Sequence, residues 1–283
     1  MLFLLGILIV AGSVFYGFVM SDGRLLALWQ PFEILIIIGG AGGAFLIANP
    51  WHVIKATGRM IPQVIVGKQP DRKLQIDVLS LLADILLKAR REGIMSIEKD
   101  MDKPGESALF ARYPAVIKRH ELSLFIADYF RIIAAGNLTA FELEAMMEQE
   151  IEARLYELQR PGVSLGRVAD ALPGFGIVAA VLGIVITMGA IDNEMTQVGS
   201  HVAAALVGTF SGVLLAYGLV GPLASVLRHQ AEEEIRLYEA VRACIVASLN
   251  GMAPQLAVEF GRKSLFTHRR PDFSELENKL RGR

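Results

Sequence analysis

The residues of this sequence that could bind a nucleotide or carry out catalysis lack the context that such chemistry needs. Gly174–Ala179 fits the GxGxxA fingerprint of dinucleotide-binding proteins, but it lies inside an apolar run and not at a strand-to-helix turn. No GxxxxGK[ST] loop for nucleotide phosphates is present. The five histidines are scattered, Cys244 is the single cysteine, and no cluster has the spacing of a metal site. The sequence therefore predicts no enzyme, no cofactor and no metal.

Two apolar runs in the second half of the chain contain no Asp, Glu, Lys, Arg or His, yet they are rich in glycine and in other residues that shape membrane helices: Pro173, Pro222, Thr187, Thr209 and Ser211. Proline inside a span kinks it, while Gly, Ser and Thr allow close helix packing. The residue types alone favour a tightly packed bundle of kinked helices. If the protein moves ions, a partner must supply the intramembrane carboxylate.

A charged segment, Lys88–Lys99, is the second candidate for function. Arg90 and Arg91 are expected in a last helical turn and Glu98 in a first turn, where the helix dipole favours these signs by about 0.3–1 kcal/mol each. On residue types alone the segment is a solvated, dipole-matched turn.

The composition indicates that the chain carrying these residues is a membrane protein. The 283 residues are 53% hydrophobic and 20% charged, and the mean hydropathy is +0.44, which is too apolar for an ordinary soluble chain. The net charge of −1 gives no excess of cations for nucleic-acid binding. Four runs reach the roughly 20 residues of a transmembrane helix: Leu2–Met20, Leu25–Asn49, Ala171–Ile191 and Val202–Leu227. A cleaved signal peptide is disfavoured for the first run, because a basic n-region is missing.

The loops predict the orientation of the four spans. Arg24 is the one basic residue between the first two runs, and the segment 192–201 between the last two contains no Lys or Arg. The positive-inside rule therefore places 50–170, 228–283 and both termini in the cytoplasm of a multi-pass inner-membrane protein. The predicted divisions are 1–49 (two spans), 50–170 (cytoplasmic insert), 171–227 (two spans) and 228–283 (cytoplasmic C-terminal helix and tail).

The cytoplasmic parts are predicted to be helical, so the fold class is an all-α membrane protein. A helix that ends near Gly93 is predicted to have one apolar face, formed by Leu74, Val78, Leu81 and Ile85. Its opposite face is predicted to be exposed to solvent and carries Asp77, Asp84 and Lys88. A second helix is expected to begin at Ser96 as its N-cap. Thr139 and Glu142 form a capping box that opens an acidic helix to about Gln159. A further apolar stripe runs from Ile235 to Leu249, and residues 269–283 are predicted to be a solvated tail.

With these elements in place, the sequence resembles the MotA family of bacterial flagellar stator subunits. The motifs that carry the resemblance are Ala205–Gly212, ten residues before Pro222, Pro173–Gly176 at the start of the third span, and the turn with Arg90 and Glu98. The order of spans, insert and tail also agrees over nearly the whole chain.

The resemblance implies a set of partners and roles. Five copies of the subunit would surround two copies of MotB, whose single helix carries a membrane Asp. The outside of this assembly would contact membrane lipid. Pro173 and Pro222 would couple ion passage to conformational change, and Thr209 would lie close to the ion path. Arg90 and Glu98 would engage the rotor protein FliG.

The residue at position 180 predicts the ion. Sodium-driven relatives typically carry Thr at the position of Ala180, where a hydroxyl oxygen could ligate a hard cation and a methyl group could not. Protons need no coordination shell, so the prediction is a proton-conducting stator that turns the proton motive force into torque. One charge crossing 100 mV gives about 2.3 kcal/mol, which suits a many-step motor.

Two other functions stay open at this point. A TolQ/ExbB-like energiser of an outer-membrane system also surrounds a single-helix partner, but its three spans do not match the pair in Leu2–Asn49. A non-conducting scaffold would use the charged insert only to dock cytoplasmic proteins.

Overall fold

The computed structural model describes residues 2–66, 72–136, 138–189 and 195–281, and within them every regular element is helical. We number the α-helices α1 to α13 in chain order. They are α1 Leu2–Met20, α2 Pro31–Ala48, α3 Trp51–Val66, α4 Arg72–Glu92, α5 Glu98–Asp102, α6 Ala108–Ala111, α7 Pro114–Ile117, α8 His120–Ala135, α9 Ala140–Gly189, α10 Met195–Leu215, α11 Gly221–Leu249, α12 Pro254–Ser264 and α13 Phe273–Arg281.

Four of these helical stretches are long and apolar enough to cross a membrane, which confirms the predicted span count. They are Leu2–Met20, Leu25–Ala48, Ala140–Met188 and His201–Leu249. The third and fourth extend well beyond the apolar runs. The expected helix end near Gln159 is therefore wrong, because α9 continues through Pro161 and Pro173 without a break.

The described residues divide into two compact units. One contains 2–66, 158–189 and 195–229, and the other contains 72–136, 138–157 and 230–281. The helices α9 and α11 contribute residues to both.

Two buried clusters of aliphatic side chains join the helices of the first unit. One buried cluster joins α2 and α9 to Ala216 of the fourth span, and its members are Ile37, Ala41, Leu172, Ala179 and Ala216. A second cluster joins α3 to α9 and α11 through Val64, Leu165, Leu223, Ala224 and Leu227. A polar contact links α2 to α9, where Ser164 donates a hydrogen bond of 2.6 Å to Asn49.

The fourth span is interrupted just before Pro222. A turn of π-helix, Ala216–Val220, separates α10 from α11, and the N–H of Gly221 donates to the carbonyl of Ala216. Proline has no N–H to continue an α-helical ladder, and a π turn shifts the hydrogen-bond register by one residue. The interruption predicted at Pro222 is thus a π turn upstream of the proline, which occupies the second position of α11.

The second unit is organised around α4, which packs on both faces. The predicted apolar positions Leu74, Val78, Leu81 and Ile85 are all buried. The predicted solvent-facing side of α4 is wrong, because α6, α7 and α13 also pack against α4 and its acidic side chains have partners. Asp84 accepts a hydrogen bond of 2.8 Å from Tyr113, and Asp77, which is buried, lies 3.8 Å from Lys279.

The predicted capping box is confirmed at the start of α9. The backbone N–H of Thr139 donates to the Glu142 carboxylate at 2.9 Å, and the N–H of Glu142 donates to the Thr139 hydroxyl at 3.3 Å. The Thr139 backbone N–H and the Thr139 hydroxyl, which donates to the same carboxylate at 2.7 Å, hold the pKa of Glu142 below its ordinary value. The reciprocal contacts satisfy N–H groups that the first helical turn would leave open.

The predicted solvated tail is wrong for the residues that the structure describes, since α13 is an amphipathic helix with Leu276 buried. At the beginning of α13, Arg72 of α4 forms ion pairs with Asp272 at 3.2 Å and with Glu275 at 2.6 Å. Arg262 donates a hydrogen bond of 2.8 Å to the carbonyl of Pro271 just before the helix. High charge suggested solvation, but Asp272, Glu275 and Lys279 pair with charged residues of α4.

Candidate functional site

Glycines let the third and fourth spans approach at backbone distance. A Cβ atom on Gly212 would lie 2.7 Å from the carbonyl oxygen of Leu172, and one on Gly176 would lie 3.0 Å from the carbonyl oxygen of Gly208. Nearer the end of α9, a Cβ on Gly183 would lie 3.1 Å from that of Ala205. Small residues at such spacing allow interhelical packing that larger side chains would block. We call this contact between α9 and α10 the glycine seam.

Two predicted ion-path residues lie along the glycine seam. A Cβ on Gly208 would be 3.6 Å from the backbone nitrogen of Ala180, and one on Gly176 would be 3.3 Å from the Cα of Thr209. Both Ala180 and Thr209 are half-buried. The tertiary structure therefore brings these two residues to the same interhelical contact, although α9 and α10 are separate in the chain.

The two predicted coupling prolines occupy different surroundings. Pro173 is half-buried and follows Leu172, a member of the seam. Pro222 is exposed and follows the π turn. The described contacts do not bring the two prolines together.

The aromatic ring of Phe175 fills the space above Gly40. A Cβ on Gly40 would overlap the Phe175 ring, so the start of the third span is packed directly against α2. This contact lies in the predicted Pro173–Gly176 motif, and sequence reasoning gave the phenylalanine no role. The glycine-rich stretch of α2 was the available sign of a close helix contact. Only the folded structure shows that Phe175 is the residue that packs there.

The turn that carries Arg90 and Glu98 is held by a network of polar contacts. After α4, Gly93 adopts a φ of +88°, and a short 3-10 helix, Ile94–Ile97, returns the chain to α5. Positive φ is a conformation that glycine adopts without a steric penalty. Ser96 does not cap α5 as predicted, because Ile97 occupies the N-cap position and the Ser96 hydroxyl donates to the Gly93 carbonyl at 2.7 Å.

Asp100 anchors this turn, and sequence reasoning missed it. Its carboxylate lies 2.7 Å from the ammonium group of Lys88 and accepts a hydrogen bond of 2.6 Å from Ser107. Burial opposes ionisation, but the Lys88 and Ser107 contacts outweigh it and hold the pKa of Asp100 below its ordinary value. The carboxylate is therefore charged at neutral pH and links α4, α5 and the following loop.

Arg90 and Glu98 themselves are exposed, one in the last turn of α4 and the other at the first residue of α5. Neither has an ion-pair partner among the described residues. The turn thus presents two unneutralised charges of opposite sign on a fixed frame. Arg90 also lines a cavity of about 330 Å³.

These features define a class of protein, a multi-pass inner-membrane protein with four helical spans and a helical insert between the second and third. Residues 4–93 match the family model for the motility protein A N-terminal region, and residues 118–240 match the MotA/TolQ/ExbB proton channel family. The second of these is a channel family, not an enzyme family.

Whole-length relatives make the assignment more specific. The chain is 45% identical to motility protein A of Salmonella typhimurium, covering 100% of this chain and 96% of that protein. It is 43% identical to motility protein A of Escherichia coli, with the same coverage. It is 41% identical to the chemotaxis protein LafT of Vibrio parahaemolyticus, over 98% of this chain and 97% of that protein. The chain therefore belongs to the motility protein A family, as the sequence predicts.

Solved structures agree with the fold. MotAB of Campylobacter jejuni has a TM-score of 0.76 at 18% identity, covering 96% of this chain and 98% of that chain. The flagellar MotAB stator complex of Bacillus subtilis has a TM-score of 0.71 at 22% identity, covering 99% and 98%. The predicted all-α architecture is confirmed.

Proposed function

We propose that this chain, assembled with a MotB-like partner, conducts protons across the inner membrane and converts the proton motive force into torque on the flagellar rotor. The observation that carries the proposal is the glycine seam between two spans whose segments 171–189 and 202–227 contain no Asp, Glu, Lys, Arg or His. A charged group at the centre of a bilayer is costly, so a proton needs a carboxylate that can be neutralised there. In this proposal the membrane Asp of the single-span partner is that carboxylate.

The resemblance to the MotA family supplies the partner and the assembly of this proposal. Five copies of the chain surround two copies of the MotB-like protein, so that the third and fourth spans of each copy face the partner helices in turn. Complexes named MotAB with this fold support the pairing. The first and second spans then face membrane lipid, consistent with the absence of buried residues on α1.

Proton passage takes place beside Ala180 and Thr209. The close backbone approach at the seam leaves little room for a hydrated cation, and the Ala180 methyl group offers no ligand to sodium. Pro173 and Pro222 make the two spans able to bend when the partner carboxylate is neutralised, because each proline removes one backbone hydrogen bond.

The cytoplasmic insert transmits the torque to the flagellar rotor. Residues 50–170 and 228–283, and both termini, face the cytoplasm in this proposal, which follows the distribution of Lys and Arg. Arg90 and Glu98 then engage FliG through their two opposite charges. Both side chains are exposed, and the Asp100 network fixes the turn that carries them.

A TolQ/ExbB-like energiser is the alternative, and it is less favoured. The match of residues 4–93 to the motility protein A N-terminal model and the presence of four spans both weigh against it.

Tethered-cell rotation in sodium-free medium, with and without a protonophore, tests the proposal. Rotation should continue without sodium and stop when the proton gradient collapses. Rotation that survives the protonophore and stops on removal of sodium would reject proton coupling, and normal rotation in a strain lacking this chain would reject a stator role.

A further inference from the structure

The cavity beside Arg90 has rigid apolar walls and lies wholly within the second unit. It is lined by the last turns of α4, by Ile94, by α8 and by the end of α11 with the loop that follows. Leu86, Phe130 and Ile245 form its interior and are buried in the core, so the cavity does not depend on a mobile side chain. Its volume of about 330 Å³ lies within the range of sites that accept a ligand group.

The rim of the cavity is equally well held. The N–H of Gly251 donates to the carbonyl of Ser248 at 3.0 Å, and that of Met252 donates to the carbonyl of Ala247 at 3.2 Å. Gly251 has a φ of +82°, as expected for a glycine that ends a helix. Leu249 stands at this rim with 37% of its surface exposed. The site therefore exists before any partner arrives, which lowers the entropic cost of binding.

The charge at the cavity is of one sign. Arg90 is the one charged residue of its lining, and the lining contains no acid. The guanidinium group has five N–H donors in a planar fork that suits a carboxylate, and it has no ion-pair partner among the described residues. A group that enters this cavity is favoured if an acidic side chain lies next to it.

We propose that this cavity binds an apolar side chain from an acidic segment of the rotor protein FliG, while Arg90 pairs with a carboxylate beside that side chain. The inference rests on the proposed function, and it adds an apolar anchor to a contact that charges alone would make weak. Exposed ion pairs are typically weak and are screened by salt. A desolvated apolar anchor near a charge pair is the usual composition of an interface hot spot.

Filling the cavity tests this inference. Ser248→Phe projects a ring from the α11 wall, and Ala89→Phe does so from the α4 wall, since both residues line the cavity. Asn250→Phe is the matched control, because Asn250 is exposed near the end of the same helix and does not line the cavity. The measurements are stall torque in tethered cells and proton flux through the purified complex in proteoliposomes.

We expect at least one cavity-filling variant to lower torque several-fold, with proton flux unchanged and with Asn250→Phe normal in both assays. Normal torque in both filled variants would overturn the inference, as would a parallel loss of torque and proton flux in both, which marks a structural role. Absence of proton flux in the unaltered complex would instead reject the proposed function.

Two further measurements separate an apolar anchor from a charge contact. An acid-to-base change in FliG that restores torque to Arg90→Glu should not restore it to the filled variants; rescue of the filled variants would contradict the anchor. A photo-crosslinking residue at Met252, which lines the cavity, should capture FliG in cells. Capture of a second copy of this chain, or of lipid, in place of FliG would overturn the assignment of the occupant.

Discussion

The carbonyl oxygen of Leu172 on α9 lies so close to Gly212 on α10 that a methyl group added there would be 2.7 Å away. The obstructing atom belongs to the backbone of another helix and has no freedom to rotate away. A Gly to Ala change inside a helix gains up to about 1 kcal/mol from helix propensity, whereas overpacking a close contact costs about 1–3 kcal/mol. The steric cost therefore outweighs the gain.

Gly212→Ala should lower the thermal stability of the detergent-solubilised complex and reduce proton flux. Gly166→Ala is the control, since a Cβ at Gly166 meets no atom within 4 Å, and it should leave proton flux unchanged and keep or slightly raise the thermal stability. Thermal unfolding and a proteoliposome flux assay measure the two effects. Equal behaviour of the two variants would show that the glycine seam carries no constraint.

Pro173→Ala should leave the complex assembled and slow or abolish rotation. Alanine restores the N–H that proline lacks and gains helix stability, so loss of rotation would come from a stiffer span and not from misfolding. Pro161→Ala is a matched control inside the same helix, and we expect it to rotate normally. Normal torque in Pro173→Ala would reject the coupling role of this proline.

Charge reversal at the exposed turn should uncouple the rotor without affecting the membrane part. Arg90→Glu or Glu98→Lys should lower torque several-fold while protein level and proton flux stay normal, because both side chains are exposed. Reversing an opposite charge on FliG should partly restore motility. Loss of torque that no rotor charge change rescues, together with a reduced protein level, would favour a purely structural role.

Asp100→Asn should loosen the turn that carries these charges. Its hydrogen-bonded carboxylate is worth about 1.5–3 kcal/mol locally, so amide hydrogen exchange over residues 94–107 should become faster at neutral pH. Asp102→Asn is the control, because Asp102 pairs with Arg131 at an exposed site, where such pairs contribute about 0–1 kcal/mol.

The same Asp100 contact has a defined pH dependence. Its pKa in the folded protein is lowered from 3.8, so the stabilisation is complete above that value and is lost as the pH falls through the folded pKa. The difference in exchange between the native chain and Asp100→Asn should therefore vanish in acid. A difference that stays constant below pH 3.8 would show that the ionised carboxylate is not the stabilising species.

The proposed orientation can be read by labelling with a membrane-impermeant thiol reagent. The native Cys244 is fully buried, so it should give little background. Cysteine at Ser21, between the first two spans, should react from outside, and cysteine at Glu148 on α9 should not. The reverse pattern would invert the topology.

The predictable parts of this fold are those set by local pattern. The apolar runs give the spans, since a helix must satisfy its own backbone hydrogen bonds in lipid. Thr139 and Glu142 act within one helical turn, so their capping box is readable from spacing alone. Predictions failed where distant elements intervene: α13 folds onto α4 and covers Asp77, which the helical pattern assigned to solvent.

The sequence alone determined the membrane class, the number of spans, the family motifs and the absence of a charge in the last two apolar runs, because each depends on residue type and short-range spacing. Only the tertiary structure decided which backbone atoms meet at the glycine seam, that Asp100 anchors the turn that carries Arg90 and Glu98, and that Arg90 shares a cavity with the end of α11. These relationships join residues far apart in the chain. They arise from the packing of whole helices, and no local pattern encodes which glycine faces which carbonyl or which charge receives a partner.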